Sequence, residues 1–181
     1  MPGLKFRVLF DSLPNQEIFR DIVIDESANF ESFYQSILEA FSFSNDQMAS
    51  FFVSDHEWNK GEEIALMDLS DDGDEAVQMM SSTVLRHLIS SPRQRFILVY
   101  DFMNMWIFLV ELQDIVSEAP AAPKVLMSVG EIQKELIEQG NESMNDITFE
   151  SEKLKGMDDF DFPDFDDDFS EDFDNIDDYD I

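Results

Sequence analysis

Four groups of side chains in this 181-residue chain have types and spacings that could do chemistry. Asp101, Asn104 and Glu111 place two carboxylates and an amide on one hairpin, where general acid–base work would be the chemistry. The commoner use of Asp and Asn at such a place is to satisfy the backbone groups of the turn, and that is the expectation here. Asp55, His56 and Glu57 offer metal-ligand types, but neighbours in a loop seldom converge on one ion, so a solvated loop is expected. Asp71, Asp72, Asp74 and Glu75 surround Gly73 as in a calcium loop. With Gly73 in sixth place, however, the first position is Asp68 and the twelfth is Met79, where a Glu is needed, so this reads as an acidic turn. Arg86, Arg93 and Arg95 are the one basic cluster. They could contact phosphates, but on so acidic a chain internal ion pairs with neighbouring carboxylates, or with the acidic tail itself, are expected.

Nucleophilic and metal hydrolysis find little else to work with. The two histidines are His56 and His87, the latter read as a surface residue, and there is no G-x-S-x-G, H-E-x-x-H or Walker A sequence. With no cysteine, disulfides, thiolate metal sites and cysteine nucleophiles are excluded, and no cofactor is expected. The chain carries 41 Asp+Glu against 11 Lys+Arg, a formal charge of −30. Such a field repels phosphate backbones and anionic lipid, so direct nucleic-acid or membrane binding is disfavoured and a basic protein partner is favoured. The opening MPGLKFRVLF has Arg7 inside its apolar stretch and reads as a first strand, not a signal peptide. The longest apolar run, residues 105–110, is far short of the ~20 residues of a membrane helix, and the cytoplasm is the expected compartment.

The acid is unevenly spread. Residues 157–181 hold 13 Asp+Glu and no Lys or Arg, and interleave Phe160, Phe162, Phe165, Phe169, Phe173, Ile176 and Tyr179 with carboxylates that include Asp166, Asp167 and Asp168. From Phe162 to Ile176 the apolar spacings are 3, 4, 4 and 3, one stripe of a helix. Asp is a poor helix former and acids three and four apart repel, so this tail is expected to be disordered when free. A partner with a basic-rimmed apolar groove would lift the repulsion and accept the stripe.

The elements that must position these groups follow from period. Phe6, Val8 and Phe10 alternate with Arg7 and Leu9, and residues 18–24 are rich in β-branched side chains, giving a strand pair. Phe30, Phe33, Tyr34, Ile37, Leu38 and Phe41 fall on one helical face, with Asn29 placed as N-cap. Residues 48–54 and 64–68 read as short strands, and residues 82–89 as a short helix stopped by Pro92. Residues 95–102 and 105–112 are apolar on both faces, as central strands covered on both sides are, and turn at Met103-Asn104. Pro120 and Pro123 mark a Pro/Ala linker. After it, Ser128 and Glu131 spell a capping box for an amphipathic helix carrying Val129, Ile132 and Leu136 and stopped by Gly140. The expected fold is α+β: a mixed, mainly antiparallel sheet of about five strands with two packed helices, an added C-terminal helix and an acidic tail. Its parts are a core over 1–116, a linker with a helix over 117–156, and the tail over 157–181.

The segments FRVLFDSLP, IFRDIVIDESANFESFYQSILEAF and GEEIALMDL, and above all YDFMNMW followed by LVEL, resemble the plasmid Ri open-reading-frame-three-like family of insertion-element passenger, resolvase-like proteins. The hallmark of that family is a Tyr-Asp-Phe-Gly-Asp-x-Trp turn followed by a strand ending in Leu-Glu. Tyr100, Asp101, Phe102, Trp106 and Glu111 match it, while Met103 stands where Gly is usual and Asn104 where Asp is usual. The resemblance spans roughly residues 4–112 and implies a compact α+β module with a mixed sheet, without implying an activity.

The resulting expectation is a non-catalytic cytoplasmic interaction module whose acidic-aromatic tail engages a basic protein surface, including one belonging to a nucleic-acid machine. Two other readings stay open: a nucleic-acid mimic or transposon-associated factor, and an enzyme with a polar site at the central hairpin.

Overall fold

The structure is a computed structural model that describes residues 1–135, apart from Pro14, Asp72 and Asp74. Its strands are β1 (Gly3–Phe10), β2 (Phe19–Asp25), β3 (Ala49–Ser54), β4 (Lys60–Ala65), β5 (Gln78–Met79), β6 (Arg95–Tyr100), β7 (Trp106–Val116) and β8 (Lys124–Val129), with one α-helix, α1 (Phe30–Phe41), between β2 and β3. They form one eight-stranded sheet in the order β5-β4-β3-β6-β7-β1-β2-β8. Every pairing is antiparallel except β4 with β5.

The helix forms where its period predicts. The Asn29 side chain accepts the Ser32 N–H at 2.8 Å, while its amide donates to the Ser81 carbonyl at 3.0 Å. Phe30, Phe33, Tyr34, Ile37, Leu38 and Phe41 are buried against the sheet. The chain leaves the helix through Ser42 in the left-handed conformation (φ 61°). On the sheet side Phe6, Phe10, Phe51, Phe96 and Phe108 meet it. Phe33 stacks on Phe51 with ring planes 4° apart and centroids 5.8 Å apart, and Phe6 lies 4.6 Å from Phe33. These contacts give an aromatic core whose rings take offset and edge-on arrangements.

Four expectations change. Among the described residues the sheet has eight strands, not about five, and one α-helix packs on it. The short helix expected over 82–89 is a single 3-10 turn, Leu85–Leu88. Its start is tied elsewhere: Leu85 N–H donates to the Ala28 carbonyl, Arg86 N–H to the Glu26 carbonyl, and the Thr83 hydroxyl to the Met79 carbonyl. Those bonds fix the segment to the loop before α1 instead of letting a helix propagate.

In the third change, the start of the helix expected after the linker lies in β8, with Ser128 opposite Arg20 in the ladder and not at a helix start. Val125, Leu126, Met127 and Val129 suit a strand, and the open edge of β2 supplied the pairing partner. Ile132 packs against the core, whereas Leu136, Gly140 and the rest of that predicted helix lie outside the described residues, as does the tail over 157–181. Last, β6 is buried on both faces as expected, but β7 alternates, with Ile107, Leu109 and Glu111 only half-buried on the face away from α1. Among the described residues no helix is long and apolar enough to cross a membrane.

Candidate functional site

The hairpin between β6 and β7 is organised by one carboxylate. Asp101 is buried with φ 59°, a conformation that Asp tolerates better than most residues. Its Oδ1 accepts the backbone N–H of Met103 (3.1 Å) and of Asn104 (3.3 Å), and its Oδ2 accepts the Asn104 side-chain amide at 2.6 Å. Its own N–H donates to the Met48 carbonyl at 2.8 Å, and its carbonyl accepts the Met105 N–H at 2.6 Å. Asp101 and Asn104 thus come together as turn-forming groups. Next to them Tyr100 is buried and donates its hydroxyl to the Ser44 carbonyl; burial, first among several effects, raises its pKa above the ordinary tyrosine value. Trp106, on the opposite strand, packs against Phe10 and Phe43.

Glu111 is elsewhere. Strand β7 carries it five residues beyond Trp106, roughly 17 Å at ~3.4 Å per residue, to the face away from α1. There it accepts Arg95 Nε at 2.8 Å, Arg93 Nη1 at 3.1 Å and Gln113 Nε2 at 2.7 Å. Burial on its own would raise the Glu111 pKa. The bonds from Arg95, Gln113 and Arg93 outweigh it and hold the carboxyl below the usual glutamate range. The structure therefore brings Asp101 and Asn104 together and leaves Glu111 at the other end of the strand.

Two members of the basic cluster, Arg93 and Arg95, share that carboxylate, and Arg95 also donates to the His56 carbonyl and stacks over Trp58 at 4.6 Å. A cavity of about 480 Å³ lies beside them, where Lys60, Arg93 and Arg95 face Asp55 and Glu62. With Glu111 bonded to both guanidiniums, its charges are balanced, not basic. In the loop after β3, Asp55 accepts the Glu57 and Asn59 N–H groups and the Asn59 amide, which hold its pKa below the ordinary carboxylate range. No group of three metal-ligating side chains exists among the described residues. Asp72 and Asp74 of the acidic turn, and every tail residue singled out above from Phe160 to Tyr179, lie outside the described residues.

A feature of the opposite end was not legible in the sequence. There the β6–β7 turn exposes Phe102 (40%), Met103 (88%) and Met105 (40%), and the loop after β4 exposes Met67 (55%) and Leu69 (66%). Met48, Met67, Leu69, Val77 and Phe102 line one groove of about 240 Å³ together with Glu63, which accepts the Ser50 hydroxyl at 2.7 Å. The loop also carries Asp68, whose pKa the Ser70 hydroxyl and N–H pull below the ordinary range. No Lys or Arg occurs between Lys60 and Arg86 or between Arg95 and Lys124. The strand registers set Ser54, Lys60 and Arg95 at one end and Ala49, Ala65 and Tyr100 at the other, so cations gather at one end and exposed apolar and acidic groups at the other. Met67 falls within the short strand predicted over 64–68, and nothing in its sequence marks it or Leu69 as groove-lining.

A family model described as "Plasmid pRiA4b ORF-3-like protein" matches residues 3–170, well past the segments that carry the motif. Among solved structures the fold is similar to the crystal structure of a protein of unknown function from Methanosarcina mazei Go1. That match has a TM-score of 0.60 and 16% identity and covers 88% of this chain and 92% of that one. No curated protein matches the chain.

Proposed function

The chain belongs to the plasmid pRiA4b ORF-3-like family, and on that fold we propose that it is a protein-interaction module for a basic partner. The observation that carries this reading is the gathering of five exposed large apolar side chains, Met67, Leu69, Phe102, Met103 and Met105, at a sheet end flanked by acids and, among the described residues, without cations. Contiguous exposed apolar surface rimmed by polar groups is what a protein contact requires, and single scattered apolar residues are not. Met103 stands where the family turn usually has Gly, so this chain adds a large apolar side chain at the point of greatest exposure. The acidic-aromatic tail, with 13 carboxylates and no cation in 25 residues, suits the same class of partner and would supply a second contact.

The test is affinity capture from the source cell's lysate with the 181-residue chain and a form ending at Gly156, in parallel at low and moderate salt. A basic protein recovered by the whole chain and fading with salt is expected, because exposed charge contacts are screened beyond a Debye length of about 8–10 Å. Recovery of no positively charged protein by either form would end the proposal. The charge density of the tail favours one further reading, that it imitates nucleic acid on a partner's DNA or RNA site. In that case added oligonucleotide displaces the chain from the captured partner.

A further inference from the structure

Resting on that reading, we propose that the groove lined by Met48, Met67, Leu69, Val77 and Phe102 is the docking site for a basic amphipathic α-helix of the partner. Four features of the site select this occupant.

The first is charge. Glu63 lies in the lining and Asp68 and Asp71 in the adjoining loop, and no Lys or Arg lies in the segments that build this end of the sheet, so the charged side chains those segments offer an incoming chain are all acidic. A cationic segment is attracted and an acidic or neutral one gains nothing. The second is shape. At about 240 Å³ the groove is smaller than the ~300–1,000 Å³ of small-molecule sites, and it takes one large apolar side chain, with Met103 and Met105 beside it in the same turn as Phe102 to cover neighbours.

The third is the edge beside it. Strand β5, which closes this side of the sheet, is only two residues long, Gln78–Met79, so an extended peptide adding to that edge would find almost no ladder to join. A helix brings its own backbone hydrogen bonds and needs none from the edge. The fourth is the type of lining. Two methionines line the groove and two more lie in the turn that carries Phe102, and their unbranched, polarizable side chains adapt to a helix face without a rigid pocket. Apolar anchors at i, i+3 or i+4 spacing with Lys or Arg on the flanks would satisfy all four.

The experiment uses the 181-residue chain labelled with ¹³C-methyl methionine. The probe is a synthetic leucine–lysine amphipathic peptide of ~18 residues, about five helical turns. Two control peptides accompany it, one of the same composition with two central prolines that break the helix, and a leucine–glutamate counterpart. The methionines report by position: Met48 and Met67 in the groove, Met103 and Met105 in the turn that carries Phe102, and Met144 and Met157 toward the C-terminus.

The expected result is that the helical basic peptide shifts the groove methyls, and that Leu69→Asn and Met67→Gln each weaken it at least tenfold. Both substitutions fall at exposed positions, which spares the fold. The proline and glutamate peptides should leave the groove methyls in place. If the basic peptide moves only Met144 and Met157 and neither substitution matters, the groove assignment is overturned while the basic-partner reading stands on the tail. Equal groove shifts from the proline peptide overturn the helix, and no binding by any basic peptide overturns both.

Discussion

Asp101 holds the turn that presents Phe102 and Met103, and replacing it separates two contributions that the structure superimposes. In Asp101→Ala the Met103 and Asn104 N–H groups and the Asn104 amide lose their acceptor, a loss of about 2 kcal/mol for three partly buried bonds. The alanine must also hold φ 59°, which costs roughly 1–2 kcal/mol in the left-handed region. The sum is ~3–4 kcal/mol, or a fall in Tm of roughly 6–16 °C at ~2–4 °C per kcal/mol for a chain of this size. Asp101→Gly loses the bonds but not the conformation and should cost about 2 kcal/mol. Asp101→Asn keeps one acceptor and tolerates the same φ, and should cost about 1 kcal/mol. Urea unfolding of the four proteins followed by circular dichroism gives the order. Equal losses for Ala and Gly would refute the strain component, and a loss below ~1 kcal/mol for Ala would refute the claim that this carboxylate organises the turn.

Three further outcomes are expected. Glu111→Gln should cost about 1–2 kcal/mol at pH 7 by weakening the bonds to Arg93 and Arg95. Because the folded pKa of Glu111 is depressed, its contribution is present above the unfolded value of about 4.3 and is lost as pH falls through the folded value. The gap between the two proteins should therefore close below about pH 4, and a gap unchanged down to pH 3 in urea titrations would contradict the pairing. Asn29→Ala removes both the cap bond to Ser32 and the tie to Ser81, and should lower stability by ~1–2 kcal/mol in the same assay, with no loss at all telling against the cap. Removing residues 157–181 takes the formal charge from −30 to −17, the tail's 13 acids being 41 less the 28 that remain against 11 bases. The shorter chain should gain less in Tm than the whole chain on going from low to moderate salt, and an equal gain would show that self-repulsion from the tail does not reach the fold.

Much of the scaffold was legible because its signals are local. The alternation of Phe6, Val8 and Phe10 and the 3-4 spacing from Phe30 to Phe41 each declare their own period, and Asn29 declares its cap. The turn role of Asp101 and Asn104 followed from the same local chemistry, since Asp reaches the N–H groups two and three residues on. What stayed hidden depends on distant partners. Residues 124–129 carry a capping signature at Ser128, and only the open edge of β2 makes them a strand. Glu111 follows Asp101 by ten residues in sequence, yet an extended strand turns that closeness into distance and hands Glu111 to Arg93 and Arg95. The groove is hidden for the same reason, because Met48, Leu69, Val77 and Phe102 come from four separate segments that meet only when β3, β4 and β6 pair.

Contact between the Met-rich end of the sheet and a basic protein is tested in living source cells by a photo-crosslinking residue in place of Met103, the most exposed large apolar side chain described. The same substitution at Glu57, in the loop at the opposite end of β3, serves as the comparison. The expected result is a discrete adduct from position 103 to a protein of net positive charge, absent from position 57. No adduct at position 103, or the same adducts from both positions, would contradict it.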